Sequence, residues 1–282
     1  RVRRSDGAPP RRRAVVTSLV AERSLGLSIR QTLEMTKRST LEIVRQPAMS
    51  APSMIFPIFF AALGASSFGK TTNLPGFPEV DSFLQFSLAA TVIQGVLFGS
   101  ISGAAALATD IENKFFDRLL LAPSTRSGIV LARIAGSALF GAFQAAFFLL
   151  VLWPFGATIR GGIPAFLVMV ASGGLVSLAI GALMSSVAIR TGSAEAVQGA
   201  FPLIFILLFF SSAFFPRETM SGTYRKIADI NPISHLVEGL RDMVLHQVTM
   251  GSIAKAILIP IAVCIAATML ALGALRARLA AL

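Results

Sequence analysis

The stretch SFLQFSLAATVIQGVLFGSISGAAALAT, residues 82–109, decides the fold because it contains no Asp, Glu, Lys or Arg. A helix needs about 20 apolar residues to cross the hydrocarbon core of a bilayer, and it satisfies its own backbone hydrogen bonds there. The stretch therefore predicts a transmembrane helix. Gly95, Gly99 and Gly103 recur at every fourth position. This spacing favours close packing against another helix, and a widened cavity is the alternative.

Five more uncharged intervals of at least 20 residues occur along the chain. The 282 residues are 54% hydrophobic and 14% charged, whereas soluble domains carry about 25% charged residues. The sequence thus predicts an all-α membrane protein, with a flexible basic tail over residues 1–28 and a transmembrane domain over residues 29–282. Its six predicted spans cover about residues 50–67, 83–108, 129–154, 162–188, 196–215 and 252–275.

The distribution of basic residues predicts the orientation. With six spans, the N-terminus, residues 110–127, residues 190–195 and the C-terminus share one side, which carries 17 Lys and Arg, against 7 on the other. The positive-inside rule makes the 17-residue side cytoplasmic. The net charge of +11 is therefore an orientation and lipid-headgroup signal, and no nucleic-acid partner is expected.

Residues 29–45 have the pattern of an amphipathic helix directly before the first span. Such a helix is expected to lie in the membrane interface, and an ordinary solvated helix is the alternative. Its apolar face includes Ile29 and Leu33, and its polar face includes Arg30, Glu34, Lys37 and Arg38.

Phenylalanines are concentrated in the first and fifth predicted spans. Phe56, Phe59 and Phe60 cluster in the first, and Phe201, Phe205 and Phe209 share one face of the fifth. They predict either helix and lipid packing or an apolar wall along the path of a substrate.

The outer segment 216–250 is too long for a simple turn. Asn231 and Pro232 are typical of a helix start, and apolar residues then recur at helical spacing up to Val244. Short outer helices are therefore predicted between spans five and six, on or in the outer leaflet.

Patterns for catalysis are weak. GASSFGKT, residues 64–71, matches a phosphate-loop pattern, but such a loop needs a strand before it and a helix after it. Here a span precedes it and two prolines follow, so nucleotide binding is not expected. His235, His246 and the single Cys264 lack the spacing of metal ligands. We predict no metal site and no catalytic residue.

The segment DIENKFFDRLLLAPSTRSG, residues 110–128, predicts a short amphipathic helix over 111–122 on the cytoplasmic side. Asp110 is placed to cap its N-terminus, and Pro123 ends it near Ala122. Docking of a soluble partner and a plain interfacial connector are both compatible with this pattern.

This segment resembles the cytoplasmic segment of permease subunits in type II ATP-binding-cassette exporters, of the daunorubicin-resistance and lipid-export branch. The family pattern is acidic residues, a turn and then D-R-x-x-x-x-P-x-x-R. The usual glycine before the D-R pair is absent here, where Lys114, Phe115 and Phe116 stand. NPISHLVEGLR, residues 231–241, resembles a second family segment. In the first segment, residues 110–128, the residues that match the family pattern are Asp110, Glu112, Asp117, Arg118, Pro123 and Arg126.

The resemblance implies a mechanism and partners. Two permease chains, identical or related, would each dock an ATPase subunit that binds ATP and Mg²⁺, so this chain would bind no cofactor. Lys114, Phe115 and Leu119 would join the matching residues in a coupling helix. The helix over residues 29–45 would act as a connecting helix, with Ile29, Arg30, Leu33, Glu34, Lys37 and Arg38. The phenylalanines would line the dimer interface and the path of a drug or lipid across a bacterial plasma membrane. A polysaccharide or glycolipid permease, and a membrane sensor or immunity protein, remain alternatives.

Overall fold

The computed structural model describes residues 47–73, 77–115 and 126–280, with side chains described for residues 50–73, 77–115 and 134–280. Within these ranges the chain is almost entirely helical and contains no β-strand. The prediction of an all-α membrane protein is confirmed. The α-helices are α1 Pro47–Phe68, α2 Phe83–Glu112, α3 Arg126–Leu152, α4 Gly162–Thr191, α5 Ala194–Gln198, α6 Phe201–Phe209, α7 Gly222–Ile230, α8 Pro232–Leu245 and α9 Met250–Ala280.

Five helices in the described part of the chain are long and apolar enough to cross a membrane: α1, α2, α3, α4 and α9. They coincide with five of the six predicted spans. Pro57 in α1 and Pro260 in α9 lie inside continuous helices.

The predicted fifth span, residues 196–215, is not one continuous helix. It is divided into α5 and α6, and the chain turns after Phe209. Pro202 has no backbone N–H with which to pair with the carbonyl of Gln198, and the intervening Gly199 carries no side chain to stabilise a helical turn. The segment therefore forms two short helices, neither of which is long enough by itself to span a bilayer. Together they lead the chain from Gly192, at the end of the bundle where Ile111 lies, to Ser212, which is hydrogen-bonded to Ser234 of α8 at the opposite end.

Helix α2 is the centre of the bundle and is buried along most of its length. A Cβ added at Gly95 would lie 2.0 Å from Cε2 of Phe148 in α3, and one at Gly99 would lie 2.1 Å from Oε1 of Gln144. At these two positions the predicted close approach of helices is confirmed.

The loops fall at the two ends of the bundle as the sequence predicts. At one end, Ile111 of α2, Gly192 after α4 and Arg278 of α9 lie together. At the opposite end, Arg160 forms an ion pair with Asp81, with 2.7 Å between Nη2 and Oδ1.

The phosphate-loop pattern falls mostly within a helix. Residues 64–68 continue α1, and Lys70 follows in the 3₁₀ turn Gly69–Asn73. The pattern therefore has neither the preceding strand nor the loop that would surround a phosphate.

Candidate functional site

A pocket of about 500 Å³ lies between α1, α2 and the junction of α5 and α6. None of its lining residues carries a charge. Three aromatic rings and a few small polar groups are the chemistry that the pocket offers. The lining includes Ser53, Phe56, Phe98, Ser102, Gln198 and Phe201.

Phe98 of α2 connects the pocket to the aromatic face of α6. Its ring centroid lies 4.6 Å from that of Phe201 and 5.9 Å from that of Phe205. Phe205 in turn lies 4.6 Å from Phe209 and 6.3 Å from Phe60 of α1. Phe60, Phe201, Phe205 and Phe209 are therefore brought into one aromatic cluster with Phe98, a residue that the prediction omitted.

Phe56 and Phe59 extend the same cluster along α1, because both of their rings contact that of Phe60, at 6.3 Å for Phe56. Phe56 lines the pocket and is 52% exposed, whereas Phe59 is 57% exposed and contacts Phe60 at a centroid distance of 5.8 Å. Only Phe56 and Phe201 of the predicted set line the pocket itself.

A buried amide supports one wall of the pocket. Gln144 of α3 is fully buried, and its Nε2 donates to Oγ of Ser53 at 2.9 Å. Ser53 donates to the carbonyl of Ser50 at 2.7 Å. Sequence reasoning missed this contact because the two residues lie 91 positions apart.

The C-terminal end of α2 differs from the prediction. Helix α2 continues through Asp110 and Ile111 to Glu112, so Asp110 lies inside the last turn of a long helix and does not cap a new one. The predicted helix start at residue 111 is therefore wrong. Apolar periodicity located this segment but could not separate the end of one helix from the start of the next.

Lys114 makes the turn that ends α2. Its φ is 59°, in the left-handed region that favours glycine and costs other residues about 1–2 kcal/mol. Lys114 therefore adopts a backbone conformation that glycine would adopt at a lower cost.

Glu112 has a partner within the chain. One of its carboxylate oxygens accepts a hydrogen bond from the backbone N–H of Ala194 at 2.7 Å. Phe115 begins the next turn and is partly buried.

At the opposite end of the bundle, Arg241 of α8 is buried and makes three hydrogen bonds to backbone carbonyls. Nε donates to Phe86 at 3.1 Å, and Nη2 donates to Ser212 at 2.9 Å and to Ala213 at 2.7 Å. The guanidinium carbon lies 3.8 Å from the centroid of the Phe86 ring, a distance typical of cation–π contacts.

The charge of Arg241 is retained despite its burial. Desolvation lowers the pKa of Arg241 to about 10, while the carboxylates of Glu238 and Glu218 act in the opposite direction. The side chain is therefore cationic at neutral pH. It joins α8 to the start of α2 and to the turn after α6.

Neighbouring groups hold the same turn. Asn231 Nδ2 donates to the carbonyls of Leu207 and Phe210 at 2.7 and 2.9 Å, and Ser234 Oγ accepts from the N–H of Ser212 at 3.1 Å. Asn231 Oδ1 also accepts from the N–H of Ile233 at 2.9 Å. The predicted helix start at Asn231 and Pro232 is confirmed.

A family of known proteins matches the part of the chain that contains the pocket and Arg241. The ABC-2 type transporter family matches residues 30–245, which is more than half of the chain. The chain belongs to the ABC-2 type transporter family. The match extends over both predicted family segments, the pocket and Arg241, and it ends at the last residue of α8.

Two relatives of this ABC-2 protein are informative. It is 29% identical over 195 residues to the daunorubicin resistance ABC transporter permease protein DrrB1 of Streptomyces coeruleorubidus, covering 67% of this chain. The alignment covers 65% of that relative, so this chain spans slightly less than two thirds of its length. It is also 25% identical over 223 residues to ycf38 of Cyanophora paradoxa, named as a transport permease, with 78% and 76% covered.

Several predicted site residues lie outside the part of the ABC-2 chain that the structure describes. Arg126 is the first residue of α3, but its side chain is outside the described set. Among the described residues no cluster of His, Cys, Asp or Glu suited to a metal ion occurs. The remaining predicted residues outside the described ranges are Ile29, Arg30, Leu33, Glu34, Lys37, Arg38, Asp117, Arg118, Leu119 and Pro123.

Proposed function

We propose that this chain is the membrane-spanning subunit of an ATP-driven exporter of amphiphilic molecules that carry an aromatic or other apolar group. The observation that carries the proposal is the uncharged pocket between α1, α2 and the junction of α5 and α6. Pockets that bind small molecules combine apolar walls with a few placed polar groups, and this lining has that composition.

The substrate class follows from the lining. Phe56, Phe98 and Phe201 offer aromatic faces for stacking. Ser53 and Ser102 offer hydroxyl groups but no charge. A substrate with a planar or acyl apolar part and one neutral polar group fits this chemistry. Drugs and lipids both meet the description, and the similarity to a daunorubicin resistance permease favours a drug.

The energy source in this proposal is a separate ATPase subunit. Two permease chains, each with one ATPase, would sit in a bacterial inner membrane with both termini in the cytoplasm. The chain's 17 to 7 distribution of Lys and Arg supports this orientation. The contacts among Ile111, Gly192 and Arg278 support a common cytoplasmic end.

Phe56→Ala tests the pocket, because Phe56 lines it and is 52% exposed. Loss of one aromatic contact of about 1 kcal/mol is expected to raise the half-saturating daunorubicin concentration about 5-fold, with ATPase binding unchanged. The measurement is ATP-dependent daunorubicin uptake into inside-out vesicles that contain both subunits, with a fluorescent phospholipid as a second probe. Phe143→Ala is the matched control, because Phe143 is 54% exposed on α3 and lies outside the lining. Equal effects of the two substitutions would contradict the pocket assignment.

Asp117→Ala combined with Arg118→Ala tests the coupling segment. The double substitution is expected to reduce the amount of ATPase subunit that co-purifies with the tagged chain at least about 10-fold, which corresponds to about 1.4 kcal/mol of lost binding. The yield of folded permease should not change. The measurement is a detergent pull-down from the native host with mass identification of the bound proteins. A chain that purifies without any ATPase, even when unmodified, would favour the sensor or immunity alternative.

A further inference from the structure

The bond between Glu112 and Ala194 joins two segments that lie 82 positions apart. Glu112 is the last residue of α2 and one of the predicted coupling residues, and it lies directly before the turn at Lys114. Ala194 is the first residue of α5, and Gln198 at the other end of α5 lines the pocket. A helix rises 1.5 Å per residue, so only about 6 Å of helix separates the bond from the pocket wall.

Helix α5 is short, is capped at its N-terminus and has one side chain in the core. Val197 is fully buried, and Oγ of Ser193 accepts a hydrogen bond from the N–H of Ala196 at 3.3 Å. On the other side of Ser193, a Cβ at Gly192 would lie 3.5 Å from Cγ2 of Ile111. The end of α2 thus lies beside the start of α5, and the hydrogen bond from Ala194 to Glu112 joins the two.

We propose that Glu112 is a positioning residue that transmits movement of the coupling segment to α5 and so to the pocket wall. The proposal rests on the proposed function, and it assigns Glu112 an intramolecular role in place of a direct charge contact with the ATPase. A carboxylate that accepts a hydrogen bond from a backbone N–H makes a short, strong bond. When α2 shifts at its end, α5 is pulled with it, and the lining at Gln198 and Gly199 changes.

Three substitutions separate this role from a charge contact. Glu112→Ala removes the acceptor, and Glu112→Gln keeps an oxygen acceptor but removes the charge. Ala194→Pro removes the donor and leaves the carboxylate untouched. Proline is favoured at the first position of a helix, and Ser193 has the extended backbone, φ −127° and ψ 125°, that a residue before proline prefers. Glu195→Ala is the control, because it removes an exposed carboxylate from the same turn.

The readout is the mobility of a nitroxide label on Ala196→Cys in a Cys264→Ser background, which leaves one thiol. Spectra are recorded from the permease–ATPase complex with ADP and with a non-hydrolysable ATP analogue. In the unmodified, Glu112→Gln and Glu195→Ala proteins the nucleotide is expected to change the spectrum. In Glu112→Ala and Ala194→Pro the label should be more mobile and its nucleotide response at least about 5-fold smaller, while the ATPase still co-purifies. The variant that combines Glu112→Ala with Ala194→Pro should show the same nucleotide response as either single variant, because both substitutions remove the same hydrogen bond.

Two results would overturn the inference, and a third would separate it from the proposed function. If the label in Ala194→Pro responds to nucleotide as it does in the unmodified protein, the inference is overturned. If Glu112→Gln then loses the response, the charge of Glu112 matters and its hydrogen bond to Ala194 does not. The inference is also overturned if the spectrum of the unmodified complex is the same with ADP and with the ATP analogue. Drug and lipid transport are measured on the same preparations. A nucleotide response without transport supports the link while contradicting the proposed export function.

Discussion

Replacing Arg241 with Ala is expected to destabilise the folded chain by about 3–5 kcal/mol, because three backbone carbonyls lose their charged hydrogen-bond donor. The guanidinium donates to the carbonyls of Phe86, Ser212 and Ala213. Buried carbonyls without donors cost about 1–3 kcal/mol each, and the truncated side chain also leaves a cavity beneath α8. The apparent unfolding midpoint in detergent, followed by size-exclusion chromatography after heating, is expected to fall by about 10 °C.

Two further variants separate charge from packing. Arg241→Met keeps most of the length and the contact with the Phe86 ring but donates no hydrogen bond, so it should be nearly as unstable as Arg241→Ala. Arg241→Lys should be intermediate, because an ammonium cannot reproduce the planar arrangement of the guanidinium donors. Arg225→Ala is the control, since Arg225 is exposed on the neighbouring helix α7. A midpoint for Arg241→Ala within about 2 °C of the unmodified protein would contradict the role assigned to these hydrogen bonds.

Charge patterning predicted most of the fold because the bilayer imposes a strict length on uncharged helices. It failed at the fifth span, where hydropathy is high but the chain breaks at Gly199 and Pro202. Proline alone could not have marked the break, since Pro57 lies within the continuous helix α1. The combination of a glycine and a proline three residues apart was the available signal.

The site was predictable only in part. The periodicity of α6 identified Phe201, Phe205 and Phe209, but their partner Phe98 belongs to another helix. The contact of Gln144 with Ser53 likewise depends on how α3 packs against α1. Contacts between residues so far apart are set by tertiary packing, which local patterns do not encode. Arg241 was identified from the sequence as the last residue of the family-like segment 231–241, but its burial depends on the turn after α6.

The glycines of α2 determine how closely α3 can approach it. Gly95→Ala would place a Cβ 2.0 Å from Cε2 and 2.4 Å from Cζ of Phe148. Phe148 is fully buried, so its ring cannot move without displacing neighbours. Overpacking of this kind costs about 1–3 kcal/mol. Gly95→Leu adds a larger side chain and is expected to prevent recovery of folded protein. Gly273→Ala should instead stabilise the protein. Nothing lies within 4 Å of a Cβ at that position, and alanine in a helix is favoured over glycine by about 0.8–1.0 kcal/mol.

The clash with Phe148 can be tested by relieving it. Phe148→Ala alone should destabilise the protein by about 3–5 kcal/mol through its cavity. Combined with Gly95→Ala, it removes the ring that the new methyl group would strike. The double variant should therefore be about 1–3 kcal/mol more stable than the sum of the two single effects predicts, as measured from the same unfolding midpoints. If the two effects are strictly additive, Gly95→Ala destabilises the protein for a reason other than a clash with α3. The glycines of α2 would then not set the distance between the two helices.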